Sequence, residues 1–186
     1  VVAFPTETFY GLGADPRQPA ALQQVLQLKG REATGKPLLL LAAALDHVAP
    51  WVGELPSGFD RLAAHFWPGP LTLVLPAAPG VPAPLLGPTR GVALRVTSHP
   101  VARELIRLCG TAITGTSANR GGAPPARSAE EVRRAFGDEL DAVVDGGDSP
   151  GGPPSTLVEL SASGARLLRR GAIEEAALAR VVELLA

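Results

Sequence analysis

The order of the apolar segments constrains this chain more than any other feature. Short continuous apolar runs at Val1 to Phe4, Leu38 to Ala43, Leu71 to Leu75, Val92 to Val96 and Ala112 to Thr114 are separated by stretches of helical spacing and by loops. Such runs read as strands, the Leu38 run as one buried on both faces. Ala20 to Leu28 sets Ala21, Leu22, Val25, Leu26 and Leu28 at helical intervals. Pro19 suits the first turn of that helix, and Gly30 suits the left-handed position just past its end. Helices are also expected at Leu45 to Val48, at Gly58 to Phe66 and at Pro100 to Leu108, the last stopped by Gly110. Ser128 with Glu131 has the spacing of a capping box for a helix running to about Phe136. Strands then cluster at Ala142 to Val144, Thr156 to Leu160 and Ala165 to Leu168, and an amphipathic helix from Glu174 to Leu185 closes the chain. Trp67-Pro68-Gly69-Pro70 reads as a rigid turn and Ala77 to Pro88 as a proline-rich surface loop. Alternation followed by clustering predicts an α/β fold with a mixed β-sheet. At 186 residues the simplest organisation is one domain, 1–186, with a substantial core.

Four polar loops follow these apolar elements: Thr6 to Gly13, Lys29 to Lys36, Gly115 to Gly122 and Gly146 to Thr156. Ligands of α/β sheets gather at strand ends, so the four are expected to converge on one hollow. The second loop holds both lysines of the chain, Lys29 and Lys36, while the other fifteen basic residues are arginine. Lysine is a compact point charge that reaches a phosphate from any side. The alternative role of Lys29 is to offset the dipole at a helix carboxyl end. Gly30-x-x-x-x-Gly35-Lys36 also spells a P-loop skeleton, but Pro37 lacks the required hydroxyl, and the flanking helix and strand come in the reverse order. The Gly115 loop suits an anion, with small residues that expose backbone N–H groups and with Ser117 and Asn119 as short donors. A turn bonding its own backbone is the other reading. Arg95 interrupts an apolar strand and needs a carboxylate or phosphate, either a ligand's or an internal one. Arg169 and Arg170, at the end of another strand, carry the same ambiguity.

Several chemistries are disfavoured. A net charge of −1 gives no broad basic field for nucleic acid, and aromatic residues at 4% are too few for base stacking. His47, His65 and His99 lie far apart without ligand-spaced partners, which argues against zinc. No G-x-S-x-G elbow occurs, and Asp145 before Gly146-Gly147 reads at least as well as a turn residue. The lone Cys109, set in an apolar helical pattern, forms no internal disulfide, so a reducing cytoplasmic location is expected. No apolar run reaches membrane-spanning length. With no methionine and a start at Val1, a few native residues are expected ahead of the chain.

Taken together, the segments resemble the YrdC-like family of threonylcarbamoyl-AMP synthases over nearly the whole chain. The pieces that carry the likeness are Pro5-Thr6-Glu7-Thr8-Phe9-Tyr10-Gly11-Leu12-Gly13, Lys29-Gly30-Arg31, Phe66-Trp67-Pro68-Gly69-Pro70-Leu71-Thr72, Val92-Ala93-Leu94-Arg95-Val96 with His99-Pro100, Thr116-Ser117-Ala118-Asn119, Asp145-Gly146-Gly147 and Pro154-Ser155-Thr156-Leu157-Val158. The resemblance implies a twisted, mostly mixed sheet flanked by helices around a deep positive cavity. It implies an enzyme that joins L-threonine, bicarbonate and ATP into threonylcarbamoyl-AMP and releases pyrophosphate. Other tRNA-modification proteins would use that product on tRNA, whose contact with this chain would be weak or indirect. Thr6, Arg95, Gly115 and Ser155 would hold threonine. Lys29, Arg31, Ser117, Asn119, Thr156 and Arg169 would hold the nucleotide, with Lys29 and Arg31 as the catalytic pair. Mg2+ would arrive with ATP rather than in a protein cage, and the chain would be the short, single-domain form. Glu32, Arg170 and Leu41 depart from the residues usual or frequent at those places in the family.

The residue chemistry fits that implication. Threonine and bicarbonate give a carbamate, an anion that attacks the α-phosphorus without a general base. Such a reaction needs positioning and charge cancellation. Two other readings are an RNA-binding or ribosome-associated module of the same fold, and a relative that forms a carbamoyl-adenylate from another carbamate donor.

Overall fold

A computed structural model of the chain describes residues 1–30 and 36–185. Two mixed sheets form the frame, where the apolar pattern suggested one. The larger runs β10-β9-β4-β5-β3-β6, with β3 at Leu40–Ala42, β4 at Leu71–Pro76, β5 at Gly91–Val96, β6 at Ile113–Thr114, β9 at Thr156–Ser161 and β10 at Gly164–Arg169. Its β3/β5 and β4/β9 neighbours are parallel and the remaining pairs antiparallel. The smaller runs β7-β2-β1-β8, from β1 at Val2–Phe4, β2 at Gly11–Gly13, β7 at Thr116–Ser117 and β8 at Ala142–Val143. The split turns on Gly115, the single residue between β6, which pairs with β3, and β7, which pairs with β2. Thr114 adds a second tie, its Oγ1 donating to Leu12 O and accepting from Ala14 N.

The helices follow the expected spacing. α1 is Pro19–Lys29, ended by Gly30 at φ 59°, and α3 is Pro100–Cys109, ended by Gly110 at φ 66°. Glycine fills both left-handed positions without a Cβ penalty. α2 spans Phe59–Phe66. α4 spans Ala129–Phe136 and takes Ser128 as its cap, with Glu131 N donating to Ser128 Oγ at 3.1 Å. Glu131 turns its carboxylate to Arg127 N instead of to the cap residue's own amide. Cys109 is exposed at the end of α3. Leu22, Val25, Leu62 and Val132 bring α1, α2 and α4 into the main core, whereas Ala102 and Ile106 of α3 pack with Phe4, Leu41 and Ile113 in a smaller cluster. None of the described helices is long and apolar enough to cross a membrane.

Two expectations are corrected. The closing helix, α5, covers only Glu175–Ala179, and Leu184 pairs with Ala165 as a parallel bridge. β10 is an edge strand, and its unpaired groups capture the backbone that periodicity assigned to the helix: Leu185 N donates to Ala165 O at 2.7 Å. The 77–88 segment is likewise more than a surface loop. It carries a short 3-10 turn at Ala83–Leu85, and Leu85 is fully buried in the core. Leu85→Ala is therefore expected to cost about 2–4 kcal/mol in urea unfolding; a loss below about 0.5 kcal/mol would mean that the segment only lies on the surface.

Candidate active site

The first, third and fourth loops meet, and Lys36 of the second lines the same cavity. Hydrogen bonds stitch the three together around the first one: Ala118 N donates to Tyr10 O, Tyr10 N to Ala126 O, and Gly151 N to Thr8 O. Tyr10 Oη donates to Gly147 O at 2.8 Å, and Ser149 Oγ donates to Thr6 O. The result is a cavity of about 580 Å3, walled by Thr6, Gly115, Ser117, Ser155 and the inner faces of β4, β5, β9 and β10. Its lining includes four cationic side chains, Lys36, Arg95, Arg166 and Arg169, against one carboxylate, Glu159.

Arg95 sits on β5 and is only 4% exposed. Its closest acidic neighbour is Glu7, with Nη1 to Oε1 at 3.5 Å, and its Nε has no hydrogen-bond partner among the described residues. Burial pulls its pKa down first, Glu7 opposes that, and Arg169 adds to it. A buried guanidinium on the lining of a cavity, with its charge not closed into a bidentate pair, is a ready seat for a carboxylate. Opposite it, Arg169 donates through Nη2 to Ser155 O at 2.8 Å and Ser155 Oγ at 3.2 Å, and desolvation lowers its pKa as well. Ser155 Oγ also pairs with Thr72 Oγ1 at 2.8 Å.

The remaining candidates serve the walls. Thr6 Oγ1 donates to Phe9 O and accepts from Thr8 N, which holds the first loop while lining the cavity. Lys29 is 2% exposed, and its ammonium donates to Ser117 O at 2.6 Å, Asn119 O at 2.7 Å and Asn119 Oδ1 at 2.5 Å. It thus clamps the Gly115 loop from beneath. Asn119 is taken up by its own loop, with Oδ1 accepting from Ser117 Oγ and Nδ2 donating to Ala123 O. Thr156 is fully buried, and its hydroxyl exchanges hydrogen bonds with Ile173 O and Ile173 N. Neither Lys29, Asn119 nor Thr156 is among the residues lining the cavity. Arg31, with Glu32, lies outside the described residues. Arg170 turns away to pair with Glu175 at 2.7 Å.

Glycine is required where two walls close. A Cβ on Gly115 would sit 2.6 Å from Leu41 Cδ1, so Leu41 and Gly115 form one tight unit. On Gly171 it would meet Ser155 C and Thr156 N, both at 2.5 Å, so only glycine lets the chain after β10 lie against the Ser155 turn.

Sequence reasoning missed several contributors. Thr72 was visible as a hydroxyl in an otherwise apolar strand. Glu159 was not, nor its bonds from Thr89 Oγ1 at 2.7 Å and Arg166 Nη2 at 2.8 Å. Glu159 lines the main cavity and also two neighbouring hollows. Among the described residues no group of three or more His, Cys, Asp or Glu side chains is placed to hold a metal.

With this geometry in hand, the likeness to known proteins is clear. Residues 1–171 match the Sua5/YciO/YrdC family model, whose description reads "Telomere recombination". The chain belongs to that family. It is 50% identical to the threonylcarbamoyl-AMP synthase of Alkalilimnicola ehrlichii over 78% of this chain and 75% of that one. It is 47% identical to the enzyme of the same name from Thiobacillus denitrificans, over 87% and 85%. The crystal structure of P. abyssi Sua5 complexed with L-threonine superposes with a TM-score of 0.91 at 36% identity, over 99% of this chain and 55% of that one. The chain therefore spans about half the length of the P. abyssi protein.

Two outcomes follow from the site. Lys29→Met leaves half-buried carbonyls at Ser117 and Asn119 without their donor, so it is expected to cost about 1–3 kcal/mol and to speed amide exchange across 117–121. Unchanged exchange would show that the clamp is dispensable. His99, with Nδ1 buried and unbonded among the described residues, has its pKa lowered by burial, against an opposing pull from Glu7. Its folded pKa lies below the unfolded one, so the unfolded chain takes up the proton first. Stability is then complete above about pH 6.5 and falls as the pH drops through the window below it. His99→Gln is expected to flatten that part of the unfolding profile.

Proposed function

We propose that this protein is a threonylcarbamoyl-AMP synthase that joins L-threonine, bicarbonate and ATP and releases pyrophosphate. The observation that carries the reading is Arg95, a nearly buried guanidinium on the cavity lining that no bidentate ion pair closes off. The names of the bacterial relatives, and the threonine in the P. abyssi structure, support the same substrate class.

In this reading threonine lies at the Arg95 end, against Thr6, Gly115 and Ser155. The nucleotide lies toward Ser117, Lys36 and Arg169, and Arg31, outside the described residues, is assigned to the same ligand by the family resemblance alone. Lys29, Asn119 and Thr156 act by fixing the walls: Lys29 and Asn119 set the Ser117 turn, and Thr156 sets the Ser155 turn. Threonine carbamate is already an anion, so its attack on the α-phosphorus needs alignment rather than a base, and the cationic lining offsets the crowding of negative charge. The described carboxylates offer no metal cluster, so the fitting partner for Mg2+ is the triphosphate itself, whose charge it would cancel when bound. The adenylate would pass to other tRNA-modification proteins in the cytoplasm.

Incubation with ATP, L-threonine and bicarbonate, followed by mass detection, is expected to reveal threonylcarbamoyl-AMP and pyrophosphate release that requires both small substrates. Arg95→Ala is expected to reduce the rate on the order of 100-fold. No adenylate from the unaltered protein, or full activity in the alanine variant, would overturn the respective assignment.

A further inference from the structure

Glu7 has no role in the chemistry described so far, yet it is held in place with care. It follows β1 in the first loop, and its carboxylate is mostly buried. Thr97 Oγ1 donates to Glu7 Oε2 at 2.5 Å, and Thr97 is in turn fully buried and fixed by its own N–H to Ala42 O. The other oxygen, Oε1, stands 3.5 Å from Arg95 Nη1 and has no hydrogen-bond partner among the described residues. At that distance the pair is an electrostatic neighbourhood rather than a closed, bidentate salt bridge. Arg95 lines the cavity without being closed off, while a fixed negative charge lies beside it.

That arrangement has a consequence for which anion Arg95 accepts. In a buried site of low effective dielectric, charges a few ångströms apart interact strongly. A fixed carboxylate beside Arg95 penalises an incoming dianion about twice as much as a monoanion. A zwitterion suffers least, because its ammonium group offsets the repulsion. The same cavity is lined by Lys36 and Arg169 and is large enough for a nucleotide, so phosphate groups compete for every cation within it. We infer that Glu7 is a specificity-determining residue, a counter-charge that reserves Arg95 for a zwitterionic amino acid and keeps phosphate groups away from it. The inference rests on the threonine reading of the Arg95 end and deepens it.

The sign of the effect separates this role from a structural one. Glu7→Gln keeps the volume and an oxygen for the Thr97 hydroxyl, but removes the charge. It is expected to tighten binding of inorganic sulfate, a dianion used as probe in calorimetry, by about tenfold or more, while threonine binding does not improve. Structural damage would weaken both ligands. The gain is expected to vanish in Glu7→Gln/Arg95→Met, which distinguishes Arg95 from the other cationic residues of the cavity. Glu7→Asp draws the charge back by one methylene and is expected to give a smaller gain. It serves as the reporter if the glutamine variant does not fold. Sulfate binding within twofold of the unaltered protein in the folded variants, or a gain that survives loss of Arg95, overturns the role of Glu7. The two readings fail separately: a normal adenylate product with unchanged sulfate affinity overturns Glu7 alone. Tightened sulfate binding without any adenylate from the unaltered protein overturns the synthase.

Discussion

The whole arrangement depends on how closely Gly115 approaches Leu41. One sheet ends and the other begins across that residue, and the space a Cβ would need is filled by the leucine side chain. Because the crossing takes a single residue, β6 and β7 leave no slack, and the loop beyond them is delivered to the strand ends of the larger sheet. Gly115 N also donates to Leu39 O at 2.8 Å, so the crossing is fixed by backbone as well as by packing. Leu41 acts through shape: it closes the apolar side of the crossing with Phe4 and Ile113.

On that frame the chemistry is electrostatic. Arg95 and Arg169 are both partly stripped of water, which weakens their hold on a proton and strengthens their attraction for an anion. Arg169 is held by the hydroxyl and carbonyl of Ser155, itself bonded to Thr72, which give direction without adding charge, whereas Arg95 has the Glu7 carboxylate beside it. The cavity is therefore preorganised: its dipoles are set by loop-to-loop hydrogen bonds before any ligand arrives, and little reorganisation is left for the reaction itself.

Much of the fold was legible because burial leaves a period in the sequence. Pro19 and Gly30 bounded α1, Gly110 stopped α3 and Ser128 capped α4, each through local backbone chemistry that needs no tertiary information. Leu184 was misread because helical spacing records which residues seek the core, and not whether an open strand edge will claim their backbone. Leu85 was misread for the related reason that prolines signal a loop but say nothing of what the loop buries. In the site, the convergence of the loops could be anticipated from strand-end logic, whereas the direction of each side chain could not. Asn119 and Thr156 look like free donors in the sequence. In the fold the first is taken up by Lys29, Ser117 and Ala123, and the second by Ile173. Glu7 escaped notice for the opposite reason, since its partner Thr97 lies ninety positions away.

Glu159 has a consequence for the capacity of the cavity. Held between Thr89 and Arg166, it is a partition shared by three adjoining hollows. There the boundary of the chamber includes a bonded run of polar side chains, Thr89, Glu159 and Arg166. Enlarging the chamber on that side would therefore mean redrawing a carboxylate span while the strand pairing of the sheets stays as it is.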